Sequence, residues 1–410
     1  MPRYISFEQT FAVTVKTLKI IGFPSSLNPY PEEFSTAAKL NAYFVVSFLS
    51  LSYCVLGQCV YVWKETTEKR SEGVATLMEE VATQIACTGF CVIGLQKMFV
   101  LAYHRNRLAR ILADFHADWK EKERIPTQRD FCQRNLRSTV TIATCAAIMN
   151  IVMVSAFNFL PIPEMIFAAS RSDVWKRQLP YKIWYPWDST KGWIYYLMYT
   201  FEVYAGLIVA IGNVTFNCIF CLVAAHLSVQ LNLLAKSLEG IIAGEPSEWD
   251  VVEDKRLSLA SAVERHQKLL GYKHSLETIF SFTIFIVFAS ASIIICFQGI
   301  MMTTSTAYIV AKFLLFFICV LLEIFFLCHY GNKILRSSED VGIAAYKCLW
   351  YQVERGGNAT FRKDLIPVIV RAQKPMVLMA WKFWPITIKT FGMVLNASYS
   401  YFTLLRTVYK

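Results

Sequence analysis

The chain has 410 residues, of which 55% are hydrophobic, 15% aromatic and only 17% charged, with a net charge of +11. A soluble protein of this length carries more charge and fewer continuous apolar runs, so the composition excludes an ordinary soluble domain. The positive charge does not mark a nucleic-acid binder, because Lys and Arg are spread over the loops between apolar segments and form no basic domain.

The N-terminal stretch MPRYISFEQTFAVTVKTLKIIGFP is broken by Glu8, Lys16 and Lys19 and lacks the unbroken apolar core of a signal peptide. Phe7, Phe11, Leu18 and Ile21 share one helix face, which predicts an interfacial helix lying on the membrane. Seven apolar segments follow, at Leu40–Trp63, Val74–Tyr103, Thr139–Leu160, Trp193–Ala225, Leu276–Met301, Tyr308–Leu327 and Ile386–Val408. Each meets the roughly 20 residues a helix needs to cross a bilayer. No internal repeat is visible. The fold class read from this pattern is an all-α membrane protein with seven transmembrane helices.

Lys and Arg bias orients the helices. With the N-terminus cytoplasmic, the inside segments carry 28 basic residues and the outside segments 9. The expected topology therefore has a cytoplasmic N-terminus and an extracellular C-terminus. This opposes a G-protein-coupled receptor, which places its N-terminus outside. The loop 161–191 also has no Cys to tether it, no DRY closes the third span, and no NPxxY lies in the seventh.

Leu227, Leu231, Leu234, Leu238 and Ile241 before GEPSEWD, and Leu259, Val263 and Leu270 after it, predict two amphipathic helices. They extend spans four and five into the cytoplasm. In 332–384 the pattern predicts a helix over Glu339–Glu354, with Tyr346 and Trp350 one turn apart, ended by Gly356 and Gly357. A second helix carries Phe361, Leu365, Val368 and Ala372, with Pro367 bending it. A self-contained helical base and an interaction surface fit this region equally. The chain is thus divided at 1–331, 332–384 and 385–410.

Lys97, Glu202, Lys312, Glu323 and Lys389 lie within apolar runs. Charges there are costly and often functional. Snorkelling to the nearer membrane face accounts for the lysines. Glu202 lies deeper, near Tyr195, Tyr199 and Tyr204, and either touches a ligand or bonds a neighbouring helix. Cys218 and Cys221 have CxxC spacing but no second pair, and the other cysteines read as small apolar residues. No phosphate loop, nucleophile elbow or HExxH occurs, so neither an enzyme nor a cofactor is expected.

The last stretch, Pro385–Lys410, is long enough to span, yet Asn396, Ser400, Thr403 and Thr407 give it a polar face. That seam serves either helix packing or a pore. The ending SYSYFTLL resembles the C-terminal signature of insect odorant receptors, as do YKCLWYQV, RAQKP and TFGMVLNASYSYF upstream, and WYPWD before the fourth span.

The resemblance implies a seven-span, odorant-gated, non-selective cation channel in the sensory-neuron plasma membrane. It works as a heterotetramer with co-receptor subunits, with 332–384 as the cytoplasmic anchor between them. The co-receptor and the related gustatory receptors carry a Gln where this chain has Thr407, and the co-receptor has a longer loop after span four. The likeness is therefore to a ligand-tuning subunit. The family's pocket among spans two, three, four and six maps here onto Cys87, Phe90, Met149, Met153, Phe157, Tyr199, Glu202 and Phe316. Met149, Met153 and Phe157 also share a helix face. Its pore positions map onto Ser400, Leu404, Thr407 and Val408, with Leu404 and Val408 as the narrowest point. The expected partners are the co-receptor, membrane lipid and a small hydrophobic volatile.

Overall fold

The computed structural model describes residues 6–22, 34–68, 74–163, 165–166, 177–240, 255–304, 307–348, 350–352 and 359–408. GEPSEWD and the glycine pair at 356–357 lie outside them. Among the described residues the fold is all-α apart from one two-stranded ribbon. Among the described residues six helices are long and apolar enough to cross a bilayer: α3 (Phe34–Glu68), α4 (Val74–Tyr103), α6 (Pro126–Phe159), α7 (Ile194–Gly240), α8 (Lys255–Thr304) and α9 (Ala307–Lys347). The last helix, α11 (Ile388–Val408), has 21 residues, or about 31 Å at 1.5 Å per residue, enough to match the bilayer core.

Helix α7 is the axis of the bundle and packs on α3, α4, α6, α8 and α9. In its apolar window 83% is buried, against 28% in α3. Small residues permit this: Ala205, Gly206, Ala210, Gly212, Ala224 and Ala225 let neighbouring backbones approach closely. Helices α7 and α8 run past the bilayer thickness as expected; the 47 residues of α7 reach about 70 Å.

The short helices gather at the inner end, in the orientation that the charge count predicts. Helix α1 (Phe7–Thr10) starts on a Ser6–Gln9 capping box, and α2 (Ala12–Ile21) ends on Gly22 at φ 85°. Phe7, Phe11, Leu18 and Ile21 do share a face, but they are buried in the protein, with α2 packed along α7 and α3. The expected interfacial helix therefore turns its apolar side to the bundle and not to lipid. The reason is an aromatic partner surface: Phe7 stacks on His116, Phe11 stacks on His226, and Trp119 meets both Phe7 and His226. His116 and Trp119 lie on α5 (Arg105–Glu123). Lys122 on the same helix is buried, and its Nζ bonds Gln230 Oε1, which also accepts from Arg265 Nη2 at 3.1 Å. Burial, then the Arg265 charge, pushes the Lys122 ammonium down to about 7.

The predicted break between span six and a separate helix over Glu339–Glu354 does not exist. Helix α9 runs unbroken to Lys347, and Trp350–Gln352 is a single 3-10 turn. Gly331 and Gly342 are not breakers; each sits where another segment's backbone crosses. A Cβ at Gly331 would collide with the Ile386 carbonyl, and one at Gly342 would come within 3.1 Å of the Ala372 carbonyl. Helix α10 (Ala359–Ala372) contains Pro367, as predicted. The ribbon β1 (Met379–Ala380) and β2 (Trp384–Pro385) then leads to α11. Its turn holds Trp381 and Lys382 at φ 44° and 62°, conformations non-glycine residues seldom adopt. The Trp381 amide donates to Ser281 Oγ at 2.7 Å, and its ring packs on Phe282 and Phe285. The Met379 amide donates to Glu277 Oε1 and the Met376 amide to Ser338 Oγ, tying this segment to α8 and α9.

Candidate functional site

At the outer end a cavity of about 320 Å³, its open side included, lies among α4, α6, α7 and α9. Cys87, Phe90, Cys91, Met153, Val154, Phe157, Val209 and Phe316 line it, with Tyr181 from the segment before α7. The rings set its shape: Phe316 meets Phe90 and Phe157 edge-on, with centroids 5.5 and 5.7 Å apart. Such a wall offers dispersion contact and little hydrogen bonding, which suits a small apolar molecule.

Tyr181 reaches the cavity because the segment 177–185 folds down into the bundle. Glu202, buried on α7, accepts from the Tyr181 amide and from the Tyr185 hydroxyl, both at 2.9 Å. Tyr181 Oη in turn donates to Asn158 Oδ1 at 2.8 Å. The Trp184 amide donates to the Gly57 carbonyl, and Gln84 Nε2 to the Lys182 carbonyl. Gly206 makes room, since a Cβ there would lie 2.6 Å from Tyr181 Oη and 2.7 Å from Asn158 Oδ1. Burial, then the neighbouring Glu202 carboxylate, pushes the Tyr185 phenol well above its usual range, so it stays a donor.

Five of the eight residues mapped from the sequence, Cys87, Phe90, Met153, Phe157 and Phe316, share this cavity. Met149 lies one turn further in and lines a different cavity. Tyr199 is turned away, its hydroxyl donating to the Asn158 carbonyl at 2.7 Å. Glu202 does not line this cavity; its carboxylate bonds Tyr181 and Tyr185 in the segment before its own helix. Sequence reasoning missed Tyr181, Cys91, Val154 and Val209. The last three were legible only as apolar residues within predicted spans, and Tyr181 carried no signal, because its place depends on a loop fold.

Helix α11 packs one side on α8 and α9: Val394 and Ser398 are buried, Phe391 meets Phe325, and Phe402 lies against Gly299. The other side is open. Asn396, Ser400 and Thr407 are exposed, Thr403 is half-buried, and Leu404 is 61% exposed. Ser400 and Thr407 bond back to the carbonyls of Asn396 and Leu404, so their hydroxyls stay on the helix surface. The side chain of Val408 lies outside the described residues.

Within the apolar core Lys97 does not snorkel. It is fully buried and pairs with Glu323, donating also to Asn217 Oδ1 at 3.2 Å. Two helices bring an acceptor to it, and that removes the drive to reach water.

A family model described as 7tm odorant receptor matches residues 77–399. Among similar proteins, odorant receptor 85c of Drosophila melanogaster is 27% identical over 89% of this chain and 90% of its own length. Putative odorant receptor 92a of the same species is 28% identical over 90% and 88%. The solved insect olfactory receptor OR5 from Machilis hrabei superposes with a TM-score of 0.78 at 15% identity, covering 97% of both chains. Its complex with eugenol gives 0.77 at 16%, covering 98% of both. A receptor family and not an enzyme family is therefore the home of this sequence: the chain belongs to the 7tm odorant receptor family.

Proposed function

We propose that this chain is the ligand-tuning subunit of an odorant-gated, non-selective cation channel, assembled with co-receptor subunits in a sensory-neuron plasma membrane. The observation that carries the reading is the open face of α11. A membrane helix that leaves Asn396, Ser400, Thr407 and Leu404 uncovered in the single chain needs a wet or protein-lined neighbour, because lipid cannot solvate such a seam. A ring of α11 helices, one per subunit, provides it. Leu404, with Val408 a turn beyond, closes the path by excluding water, and the hydroxyl-bearing flank keeps it wet when the helices part. The outer cavity supports the ligand half of the reading: Cys87, Phe90, Met153, Phe157 and Phe316 hold an apolar volatile, and Tyr181 covers it. Assignment of 332–384 to subunit contact belongs to the same proposal, as does the binding of an apolar volatile, the molecule class that eugenol represents in its complex with the Machilis receptor.

The test is whole-cell recording with a panel of volatiles, with and without a co-receptor. Odorant-evoked current is expected only on co-expression. A Leu404→Cys chain is expected to react with a charged thiol reagent faster in odorant than without it. Robust current from the chain alone removes the co-receptor from the proposal. An unreactive Leu404→Cys in open channels removes α11 from the pore.

A further inference from the structure

The bundle holds a second cavity nearer the inner end, between α6, α7 and α9. It measures about 530 Å³, its open side included. The two cavities are stacked along the same helices, about one turn apart. Met153 and Phe316 face the outer one, Met149 and Cys319 the inner one.

Their linings differ in kind. The inner cavity combines apolar residues such as Ile142, Val214 and Phe326 with Asn150, Asn217 and Glu323. Lys97 approaches the last two from α4, bonding Glu323 Oε1 and Asn217 Oδ1. Those bonds commit the Lys97 charge and fix the Asn217 amide so that Nδ2 points away from it. Asn217 Nδ2 and Glu323 Oε2 then have no hydrogen-bond partner among the described residues, although both side chains border the cavity. A donor and an acceptor left open at bilayer depth call for a group that satisfies both. A hydroxyl does so: its O–H donates to the carboxylate and its oxygen accepts from the amide. A ketone or an ether can only accept, and a hydrocarbon does neither.

We propose that the inner cavity is a second ligand site, separate from the outer one, for small alcohols with an apolar body and one hydroxyl. The site needs neither a co-receptor nor a pore, so it is tested on the purified full-length chain. A diazirine-bearing aliphatic alcohol is photolysed with the protein, and adducts are mapped by mass spectrometry. Adducts are expected on the inner wall, around Ile142–Asn150 and Asn217–Cys221. 1-Octanol should compete for them at least tenfold better than 1-methoxyheptane, an ether with the same number of heavy atoms. Ala146→Leu, which fills the cavity without touching the Lys97 pairing, should abolish inner adducts while adducts near Cys87 and Phe316 persist. Asn217→Leu should abolish the preference for alcohol over ether. Absence of inner adducts in the unaltered chain, equal competition by alcohol and ether, or inner labelling that survives Ala146→Leu each overturns the proposal. Adducts near Cys87 and Phe316 are read separately, so a failure of the outer cavity as the odorant site is told apart from a failure of this one.

Discussion

Lys97 and Glu323 lie 226 positions apart in the chain and meet inside the bundle. Removing one partner leaves the other's charge buried without compensation, at a cost of roughly 3–5 kcal/mol, whereas replacing both with apolar residues is close to neutral. Glu323→Leu is therefore expected to lower the melting temperature of the purified protein and its surface expression. The double replacement Lys97→Leu with Glu323→Leu should regain most of the loss. A double variant as unstable as the single would show that the pair does not balance the charge. Lys122 yields a pH prediction outside the membrane. Its folded ammonium is pushed down to about 7, while in the unfolded chain it titrates near its ordinary value of about 10.4. Between those values the unfolded state binds the extra proton, so stability rises with pH across that window and the penalty is full below it. Lys122→Met should flatten the slope of melting temperature against pH between about 7 and 9 and raise stability most at the acid end; an unchanged slope would show that Lys122 is not the group responsible. Neither lysine's situation was legible. Periodicity ranks a lysine by its distance from a span end, and nothing local announces an acceptor arriving from a distant helix.

Elements were more legible than residues. The long apolar runs gave α3, α4, α6, α7, α8 and α9, because length and hydropathy are local quantities. The helix expected over Glu339–Glu354 was misread because the apolar run of span six ends near Leu327, while in the fold the helix continues to Lys347 and Gly331 answers a crossing backbone. The turn at Trp381 and Lys382 left no trace, since neither residue is favoured at positive φ and their conformation is imposed by Ser281 and the rings around them. The segment 177–185 is the element on which ligand retention is expected to turn. Glu202→Ala removes the acceptor for the Tyr181 amide and the Tyr185 hydroxyl together, leaving buried donors at about 1–3 kcal/mol each. The expected outcome is a right shift of odorant dose–response of at least about tenfold, with faster decay of current on washout. Tyr199→Phe, which loses a bond away from the cavity, should shift potency less. Equal effects of the two would mean that the segment does not cover the ligand.

At the scale of the whole molecule, orientation rests on the 28 to 9 distribution of basic residues. An epitope tag placed after Lys410 is expected to be stained on intact cells, and staining only after permeabilisation would reverse the topology. In that orientation the outer cavity would face the extracellular side. The aromatic cluster around His226, with α1 and α2 against it, would then lie at the cytoplasmic side. The outer cavity drew on four helices that composition could identify and one loop that it could not; five of the eight mapped residues converge there and Met149, Tyr199 and Glu202 do not.

The continuity of α9 has a mechanical consequence. Phe316 touches the outer cavity, and Gly331, 15 residues on, bears directly on the Ile386 carbonyl two residues before α11. An unbroken helix over that distance, about 22 Å, behaves as a stiff lever with Gly331 as its fulcrum. A sideways push of 1 Å at Phe316 would tilt it by only about 3°, turning the helix about the point where it bears on the root of the last helix. No hinge lies between to absorb it.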